Sequence, residues 1–304
     1  MKKEIELPKS IDLDNLLHKL RILSWGAIDI LQAYSKGDEP PYGFPKALSV
    51  DEGGDGPVSA ADLAVNSWLI NGLKSQFPLA QWIVISEETA KGQKVKANHL
   101  ESEWTWILDP LDGTKDFLQG TGDYAVHLAL TKGEDLVLGV ILIPELEEMW
   151  FGIVGQRAWV EDRWGNQRPV SFSSRNDISQ MILVASRSHR DQILERLIES
   201  APFSETKTIG SVGCKVSKIL KGEADIYISL AGKTAPKDWD MAAPEAVLKA
   251  AGGSFTHANL KPLKYNSGDL NQWGCLIASH GKNHDLVCKI IEEKLSLIDP
   301  SFLV

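Results

Sequence analysis

The sequence predicts a layered protein of α and β structure, built from two packed lobes that meet near residue 175. Two observations carry this prediction. In the first part of the chain, amphipathic helical segments precede a series of short apolar strands. After residue 175, strands alternate with helices, a pattern typical of an α/β layer. We therefore predict an N-terminal α+β lobe over residues 1–175 and a C-terminal α/β lobe over residues 176–304.

The individual elements follow from the spacing of apolar residues. In the N-terminal lobe, apolar residues at three- and four-residue steps predict helices over residues 11–35 and 59–76. Short apolar runs bounded by turn residues predict a sheet, antiparallel in part, from strands at 82–85, 104–108, 124–130, 136–142 and 149–154. In the C-terminal lobe, the predicted strands cover 182–185, 206–209 and 224–230. The helices that follow them are predicted at 192–200, 215–221 and 241–251.

Composition excludes several classes of protein. The 304 residues are 43% hydrophobic and 24% charged, which is ordinary for a globular chain and excludes disordered, collagen-like and coiled-coil proteins. The net charge of −9 argues against binding to a nucleic-acid backbone. No apolar run reaches the ~20 residues of a membrane span, and the first residues lack the apolar core of a signal peptide. We therefore expect a cytoplasmic protein, and three widely spaced cysteines predict neither a disulfide framework nor a zinc site.

The most informative segment runs from Asp109 to Thr114, directly after an apolar strand. Pro110 lacks an N–H group and is expected to end the strand pairing. Asp109 and Asp112 would then lie at the carboxyl end of a strand, where α/β proteins build sites, and the N–H groups of Gly113 and Thr114 would open a helix and face an anion. The alternative is a solvated turn in which an aspartate caps a helix.

Other acids stand in comparable positions. Glu87 follows the strand at 82–85, Asp240 begins a helix, and Asp62 lies in a first helical turn. Clustered carboxylates cannot stay ionised together without cations, and oxygen ligands without histidine or cysteine favour Mg²⁺, with Mn²⁺ as second choice. This pattern favours metal-assisted hydrolysis of a phosphate ester.

At these residues the sequence resembles the inositol monophosphatase superfamily of lithium-sensitive, magnesium-dependent phosphatases. Four motifs carry the resemblance in the order of that family: A-D at 61–62, S-E-E at 86–88, D-P-x-D-G-T at 109–114, and W-D-x-A-A at 239–243 with A-G-G at 251–253. The resemblance implies an α-β-α-β-α layered sandwich of the sugar-phosphatase type.

Within that superfamily, the chain is most similar to the 3′(2′),5′-bisphosphate nucleotidases of sulfur metabolism. Shorter motifs carry this similarity, at residues 117–118, 122–126, 186–189 and 210–215. The implied reaction removes the 3′-phosphate of adenosine 3′,5′-bisphosphate, with 3′-phosphoadenylyl sulfate as a further substrate. An inositol or sugar monophosphatase, and a non-catalytic phosphate-binding scaffold, stay open as alternatives.

The resemblance also implies roles for individual residues. One Mg²⁺ would be held by Glu87, Asp109 and the Leu111 carbonyl, and a second by Asp109, Asp112 and Asp240; a third ion is left open. Thr114, hydrogen-bonded to Asp62, would orient the attacking water together with Glu87. The implied substrate contacts are Asp112, Gly113, Thr114, Ser186, His189, Ser211, Lys215 and Asp240, of which Ser186 and His189 face the nucleoside and Ser211 and Lys215 the phosphate that is not cleaved.

The sequence departs from the family pattern before the second helix. Residues 51–56 are acidic and rich in glycine, where relatives carry a lysine and an aspartate. The long loop that contains them, from Gly37 to Gly56, is expected to be a lid or a mobile segment. The expected partner is a small phosphorylated molecule. Binding to nucleic acid or to a membrane is not expected, and the chain is expected to act as a monomer or a homodimer.

Overall fold

The computed structural model describes residues 5–46, 59–91, 102–188, 190–231 and 234–303. The loop at 51–56 and His189, both named above, lie outside these residues. Two β-sheets and eight α-helices alternate in layers over the described part of the chain. Among its helices, none is both long and apolar enough to cross a membrane.

Two long helices form the first layer, α1 (Leu13–Lys36) and α2 (Ala60–Gln76), close to the predicted bounds. Asp12 caps α1 by accepting a hydrogen bond from the Asn15 N–H at 2.9 Å, and Gly37 ends the helix in the left-handed conformation. Ser59 and Asp62 form a reciprocal capping box at the start of α2. The apolar faces of both helices pack against one side of the first sheet.

The first sheet has seven strands in sequence order: β1 (Ile83–Ser86), β2 (Trp104–Asp112), β3 (Ala125–Lys132), β4 (Asp135–Ile143), β5 (Glu148–Ile153), β6 (Arg157–Glu161) and β7 (Gln167–Pro169). Only the β1–β2 pair is parallel, so the predicted mixed character is confirmed. Strands β6 and β7 were not predicted. Two five-residue helices, α3 (Glu87–Lys91) and α4 (Thr114–Leu118), follow β1 and β2 directly.

The second sheet contains β8 (Ile182–Ser186), β9 (Glu205–Ile209), β10 (Ile226–Ala231), β11 (Ser254–His257) and β12 (Gly274–Ser279), in the order β11-β12-β10-β8-β9. The neighbouring strands β10, β8 and β9 are parallel, and they alternate with the helices α5 (Gln192–Ser200), α6 (Val212–Leu220) and α7 (Asp238–Ala250). This alternation confirms the predicted α/β pattern. Strands β11 and β12 and the last helix, α8 (His284–Ile298), were not predicted.

Helices α6 and α7 lie between the two sheets, and α5 and α8 cover the far face of the second sheet. The contact of α7 with the first sheet is close, because a Cβ added at Gly152 of β5 would lie 2.4 Å from the Cα of Val247. The layers therefore follow the expected order α-β-α-β-α. Helix α7 belongs to the second half of the chain but packs on the first sheet, so the two halves share one layer. The division into two lobes at residue 175 therefore stays a prediction.

Candidate active site

Strand β2 carries two aspartates across a bulge. Asp109 pairs with His127 of β3, and Asp112 pairs with Ala125. Two residues separate these pairs on β2 but only one separates them on β3, so β2 contains one extra residue, which is a β-bulge. The prediction that pairing ends at Pro110 was wrong: a bulge accommodates the missing N–H group, and the ladder resumes at Asp112. Inside the bulge, the Leu111 N–H donates to Asp109 Oδ1 at 3.0 Å, which fixes the Asp109 carboxylate.

A third aspartate comes from the middle layer. Asp240 is the third residue of α7, and its Oδ2 accepts a hydrogen bond from the Lys237 N–H at 2.6 Å. Carboxylate oxygens of Asp109, Asp112 and Asp240 all lie within 4.8 Å of one another. The structure therefore brings together three of the four residues whose side chains were predicted to bind metal, from two elements that are more than 120 positions apart in the sequence.

Glu87, the fourth predicted ligand side chain, begins α3 at the end of β1, beside β2. Burial raises the pKa of Asp109 well above its usual range, and the nearby carboxylates of Glu87, Asp112 and Asp240 raise it further. The same two causes raise the pKa of Asp240 to about 8. These shifts show that the four acids repel one another electrostatically, and a cation at this position would relieve the repulsion.

Asp112 is oriented by the first turn of α6. Its Oδ2 accepts hydrogen bonds from the Ser211 hydroxyl at 2.6 Å and from the N–H groups of Val212 and Gly213. Ser211 is the N-cap of α6, where it has a positive φ of 45° and its hydroxyl accepts a hydrogen bond from the Cys214 N–H. These hydrogen bonds from the first turn of α6 fix the orientation of the Asp112 carboxylate.

His127 also contacts Asp112 and was assigned no role from the sequence. It is fully buried in β3, and its Nε2 lies 3.5 Å from Asp112 Oδ2. Burial lowers the pKa of His127, and the Asp112 charge acts in the opposite direction. Only the strand register, which pairs His127 with Asp109, reveals this contact, because the histidine shows no ligand spacing in the sequence.

Thr114 and Asp62 form the hydrogen bond that the resemblance implied. The Thr114 hydroxyl lies 3.1 Å from Asp62 Oδ1 and 3.2 Å from the Leu111 carbonyl oxygen. The other carboxylate oxygen of Asp62 accepts from the Ser59 N–H at 2.8 Å and from its hydroxyl at 2.5 Å. Gly113, just before Thr114, has φ = 94° and would place a Cβ 2.9 Å from the Asp123 carbonyl oxygen, so this position requires glycine.

The predicted substrate residues of the C-terminal lobe lie on β8 and α6. Ser186 is the last residue of β8 and pairs with Ile209, the last residue of β9. Ser211 follows two residues after Ile209. Lys215 lies inside α6 rather than before it, is only 3% exposed, and donates to the Ile209 carbonyl oxygen at 3.4 Å. Burial lowers the pKa of Lys215. Its contact with a phosphate stays a prediction, as does the role of Ser186.

An arginine that the sequence analysis did not single out holds the Ser186 segment in place. Arg187 forms ion pairs with Asp116 of α4 and with Asp123, and it donates to the Thr121 hydroxyl at 3.1 Å. Asp123 in turn accepts a hydrogen bond from the Gly210 N–H at 3.1 Å. The network joins the loop after β2 to the loops that follow β8 and β9. Arg187 lies more than 60 positions from Asp116 and Asp123 in the sequence. The spacing of these residues therefore does not predict the network.

The ligand atoms fit magnesium by their chemistry. Asp109, Asp112 and Asp240 supply carboxylate oxygens, which hard divalent cations prefer, and a bound cation would offset the repulsion between their charges. The fold and the acidic cluster together place this chain in a class of proteins. Its members have an α-β-α-β-α layered fold and a carboxylate site between their two sheets. The chain belongs to the inositol monophosphatase family, whose model matches residues 17–296.

Individual relatives agree with this assignment. The 3′(2′),5′-bisphosphate nucleotidase CysQ of Escherichia coli is 33% identical over 218 residues, which cover 71% of this chain and 82% of the relative. Among solved structures, an inositol monophosphatase of Thermotoga maritima superposes with a TM-score of 0.73 at 20% identity, over 94% of this chain and 100% of that one. CysQ of Bacteroides thetaiotaomicron superposes with a TM-score of 0.65 at 25% identity, over 86% of this chain and 97% of that one. These likenesses confirm the layered fold expected from the sequence.

Proposed function

We propose that this protein is a magnesium-dependent 3′(2′),5′-bisphosphate nucleotidase that hydrolyses adenosine 3′,5′-bisphosphate to AMP and phosphate. The observation that carries the proposal is the cluster of Asp109, Asp112 and Asp240, whose oxygens lie within 4.8 Å of one another in a chain 33% identical to a bisphosphate nucleotidase. 3′-Phosphoadenylyl sulfate carries the same 3′-phosphate and is the expected second substrate. The cytoplasmic location and the monomeric or homodimeric state remain predictions.

The residues that would hold Mg²⁺ are Glu87, Asp109, Asp112, Asp240 and the carbonyl group of Leu111. Bound magnesium would supply positive charge that stabilises the phosphate oxygens in the transition state and makes a water molecule more acidic. The hydrogen bonds from Leu111 N–H to Asp109 and from Lys237 N–H to Asp240 hold these two carboxylates in fixed orientations. Preorientation of this kind reduces the cost of arranging ligands when a cation binds.

Thr114 and Asp62 would hold the attacking water and take up its proton. Because the Thr114 hydroxyl donates to Asp62 Oδ1, a lone pair of the Thr114 oxygen is free to accept a hydrogen bond from water. As the water attacks phosphorus, its proton can pass to the Thr114 oxygen while the Thr114 proton passes to Asp62. The Ser59 N–H and hydroxyl, which both donate to Asp62 Oδ2, fix the carboxylate for this role.

The second phosphate of the substrate would be bound by Ser211 and Lys215, at the start of α6. Lys215 is a buried cation whose ammonium group has a single hydrogen bond of 3.4 Å to a carbonyl among the described residues. A phosphate dianion near this group would provide the counter-charge that favours its protonated form. Binding would require Lys215 to turn from the Ile209 carbonyl towards the substrate. Arg187 would keep Ser186 beside the nucleoside by its ion pairs on the loop after β2.

A comparison of kcat/KM across phosphorylated substrates tests the proposal. The panel contains adenosine 3′,5′-bisphosphate, 3′-phosphoadenylyl sulfate, 3′-AMP and inositol 1-phosphate, each assayed with Mg²⁺ and again after removal of metal with EDTA. We expect the bisphosphate to have the highest kcat/KM and phosphate release to stop without metal.

Two outcomes would contradict the proposal. A higher kcat/KM for inositol 1-phosphate than for the bisphosphate would favour the inositol monophosphatase alternative. Activity that survives rigorous removal of divalent cations would contradict the assigned chemistry. Asp109→Asn serves as the background control, because it removes a carboxylate from the centre of the cluster while it preserves the size of the side chain.

A further inference from the structure

Glu87, the predicted ligand outside the aspartate cluster, follows an edge strand of only 4 residues. Strand β1 comes first in the order of the seven-stranded sheet and, among the described strands, pairs only with β2. Its last pair joins Ser86 to Leu108, directly before Asp109. An edge strand leaves N–H and C=O groups without a partner in the sheet. The position of Glu87 therefore depends on contacts made from outside the sheet.

Those contacts come from α2 and from the first turn of α3. The Ser86 hydroxyl donates to Asn66 Oδ1 of α2 at 2.6 Å. The Ser86 N–H donates to the Thr89 hydroxyl at 3.2 Å, and that hydroxyl donates to the Ser86 carbonyl oxygen at 3.0 Å. Ser86 is 0% exposed, and its hydroxyl, N–H and carbonyl groups all have a partner in α2 or α3. The residue directly before Glu87 is therefore held from both helices.

Helix α2 also holds the other side of the same candidate cation site. The Thr114 hydroxyl lies 3.1 Å from Asp62 Oδ1 of α2 and 3.2 Å from the carbonyl oxygen of Leu111, a proposed ligand. Asp62 and Asn66 are four positions apart, so they lie on one face of α2, ~6 Å apart along its axis. One turn of α2 therefore ties the end of β2 to the end of β1, the two segments that would provide Leu111 and Glu87.

We infer that Asn66 is a positioning residue for Glu87. Its hydrogen bond with Ser86 fixes the start of α3 against α2 and so raises the affinity of the site for the cation that Glu87 would bind. This inference rests on the proposed function, because it concerns the same metal site. Asn66 and Ser86 carry no charge, so their effect does not depend on a change in protonation. Residues that orient metal ligands alter affinity about 10–100-fold when they are replaced.

A double-mutant cycle isolates this hydrogen bond. Asn66→Leu removes the acceptor and keeps much of the volume, whereas Ser86→Ala removes the donor. Each change breaks the same bond, so the double variant should lose no more affinity than either single variant. Ser86→Ala leaves no buried hydroxyl without a partner, and it keeps the test valid if Asn66→Leu does not fold. Glu87→Gln is the reference, because it changes the proposed ligand itself and shows which bound cation depends on Glu87.

The readout is binding of Mn²⁺ to the metal-free protein, measured by the loss of the electron paramagnetic resonance signal of free Mn²⁺. We expect Asn66→Leu, Ser86→Ala and the double variant each to raise the dissociation constant about 10-fold, for the same ion that Glu87→Gln weakens. Wild-type affinity in Ser86→Ala or in Glu87→Gln would overturn the inference. A double variant whose loss is the product of the two single losses would also overturn it, because the two residues would then act independently.

Thr131→Val provides the matched structural control. The Thr131 hydroxyl is likewise buried and accepts a hydrogen bond from an asparagine, Asn266 Nδ2, at 2.8 Å. Thr131 pairs with Thr105 at the start of β2, whereas the candidate ligands lie at the end of that strand. We expect this variant to lower the melting temperature without changing the Mn²⁺ dissociation constant. If Ser86→Ala behaves in the same way, Ser86 has only a structural role and the inference is wrong.

The experiment distinguishes failure of the inference from failure of the proposed function. If the wild type binds no Mn²⁺, both are wrong. If the wild type binds Mn²⁺ and the Asn66 and Ser86 variants bind it equally well, only the role of Asn66 is wrong. If the expected pattern of affinities is found but the bisphosphate is not hydrolysed, the proposed substrate is wrong and the role of Asn66 stands.

Discussion

Replacement of Asp240 by asparagine is expected to stabilise the metal-free protein at neutral and alkaline pH. The asparagine side chain would keep an oxygen that accepts the hydrogen bond from the Lys237 N–H, so the start of α7 stays capped. The substitution removes one acid from a buried cluster whose members repel one another. Without a cation, wild-type Asp240 has two unfavourable states in the folded protein. It either carries a negative charge beside other carboxylates, or it keeps a proton that it would lose in the unfolded chain at neutral pH, and both states lower the free energy of unfolding.

The sign and size of the effect follow from the pKa of Asp240, which is raised to about 8 in the folded protein. A carboxyl group with a raised folded-state pKa contributes stability that is fully present below its unfolded pKa of ~3.9 and is lost as the pH rises towards 8. The full shift corresponds to about 6 kcal/mol at ~1.4 kcal/mol per pH unit. Asp240 is partly accessible to solvent, which screens these charges, so we expect about 2 kcal/mol, or ~4 °C in melting temperature.

Thermal unfolding in EDTA at pH 5 and pH 8 measures this effect. Wild type is expected to lose stability between the two values, whereas Asp240→Asn loses less and melts at the higher temperature at pH 8. With Mg²⁺ the order reverses, because only the wild type keeps the full ligand set, and the variant has no turnover. Asp191→Asn is the control: Asp191 caps α5 through the N–H groups of Ile193 and Leu194, away from the cluster. A wild-type melting temperature that does not change between pH 5 and pH 8 without metal would refute the reasoning.

Three further substitutions test other parts of the site. Thr114→Val removes the hydroxyl that donates to Asp62 and is expected to lower kcat about 100-fold with little change in melting temperature; an unchanged kcat would exclude the proposed proton path. Ser211→Ala removes the N-cap of α6 and a hydrogen bond to Asp112, so the free energy of unfolding should fall by about 1 kcal/mol and the Mg²⁺ concentration for half-maximal activity should rise. Lys215→Met keeps the buried volume and should raise KM for the bisphosphate more than KM for 3′-AMP in steady-state assays; an equal rise for both would argue against its phosphate contact.

Much of the fold could be predicted because its elements repeat apolar residues at a regular spacing. Helix α5 was predicted at its observed bounds, and the structure adds that Asp191 caps its first turn. Strand β7 contains only exposed residues and has no apolar signal, because it lies at the edge of the sheet. Helix α8 was not predicted, although Val287, Cys288 and Ile291 have helical spacing and are buried.

The acids of the candidate site could be identified from the sequence because each follows a strand or begins a helix. The residues that orient them could not, since these contacts depend on pairing between distant segments. The His127 contact requires the register of β2 with β3, and the Arg187 network requires three loops to meet. The path of the chain at Pro110 was also mispredicted, because a bulge can absorb a missing N–H group and the residue type does not reveal it.

The position of the acidic cluster couples cation binding to the stability of the whole fold. Asp112 is held by α6 and Asp240 belongs to α7, and these two helices fill the layer between the sheets. Packing of that layer therefore forces like charges together, at a cost that the apolar contacts of the layer must offset. A cation that binds only the folded form removes this cost and adds a stabilisation of about 2.7 kcal/mol at a concentration 100-fold above its dissociation constant. For this reason, substitutions that force α7 away from the first sheet, such as Gly152→Ala, whose added Cβ would lie 2.4 Å from the Val247 Cα, should weaken cation binding even though they touch no ligand.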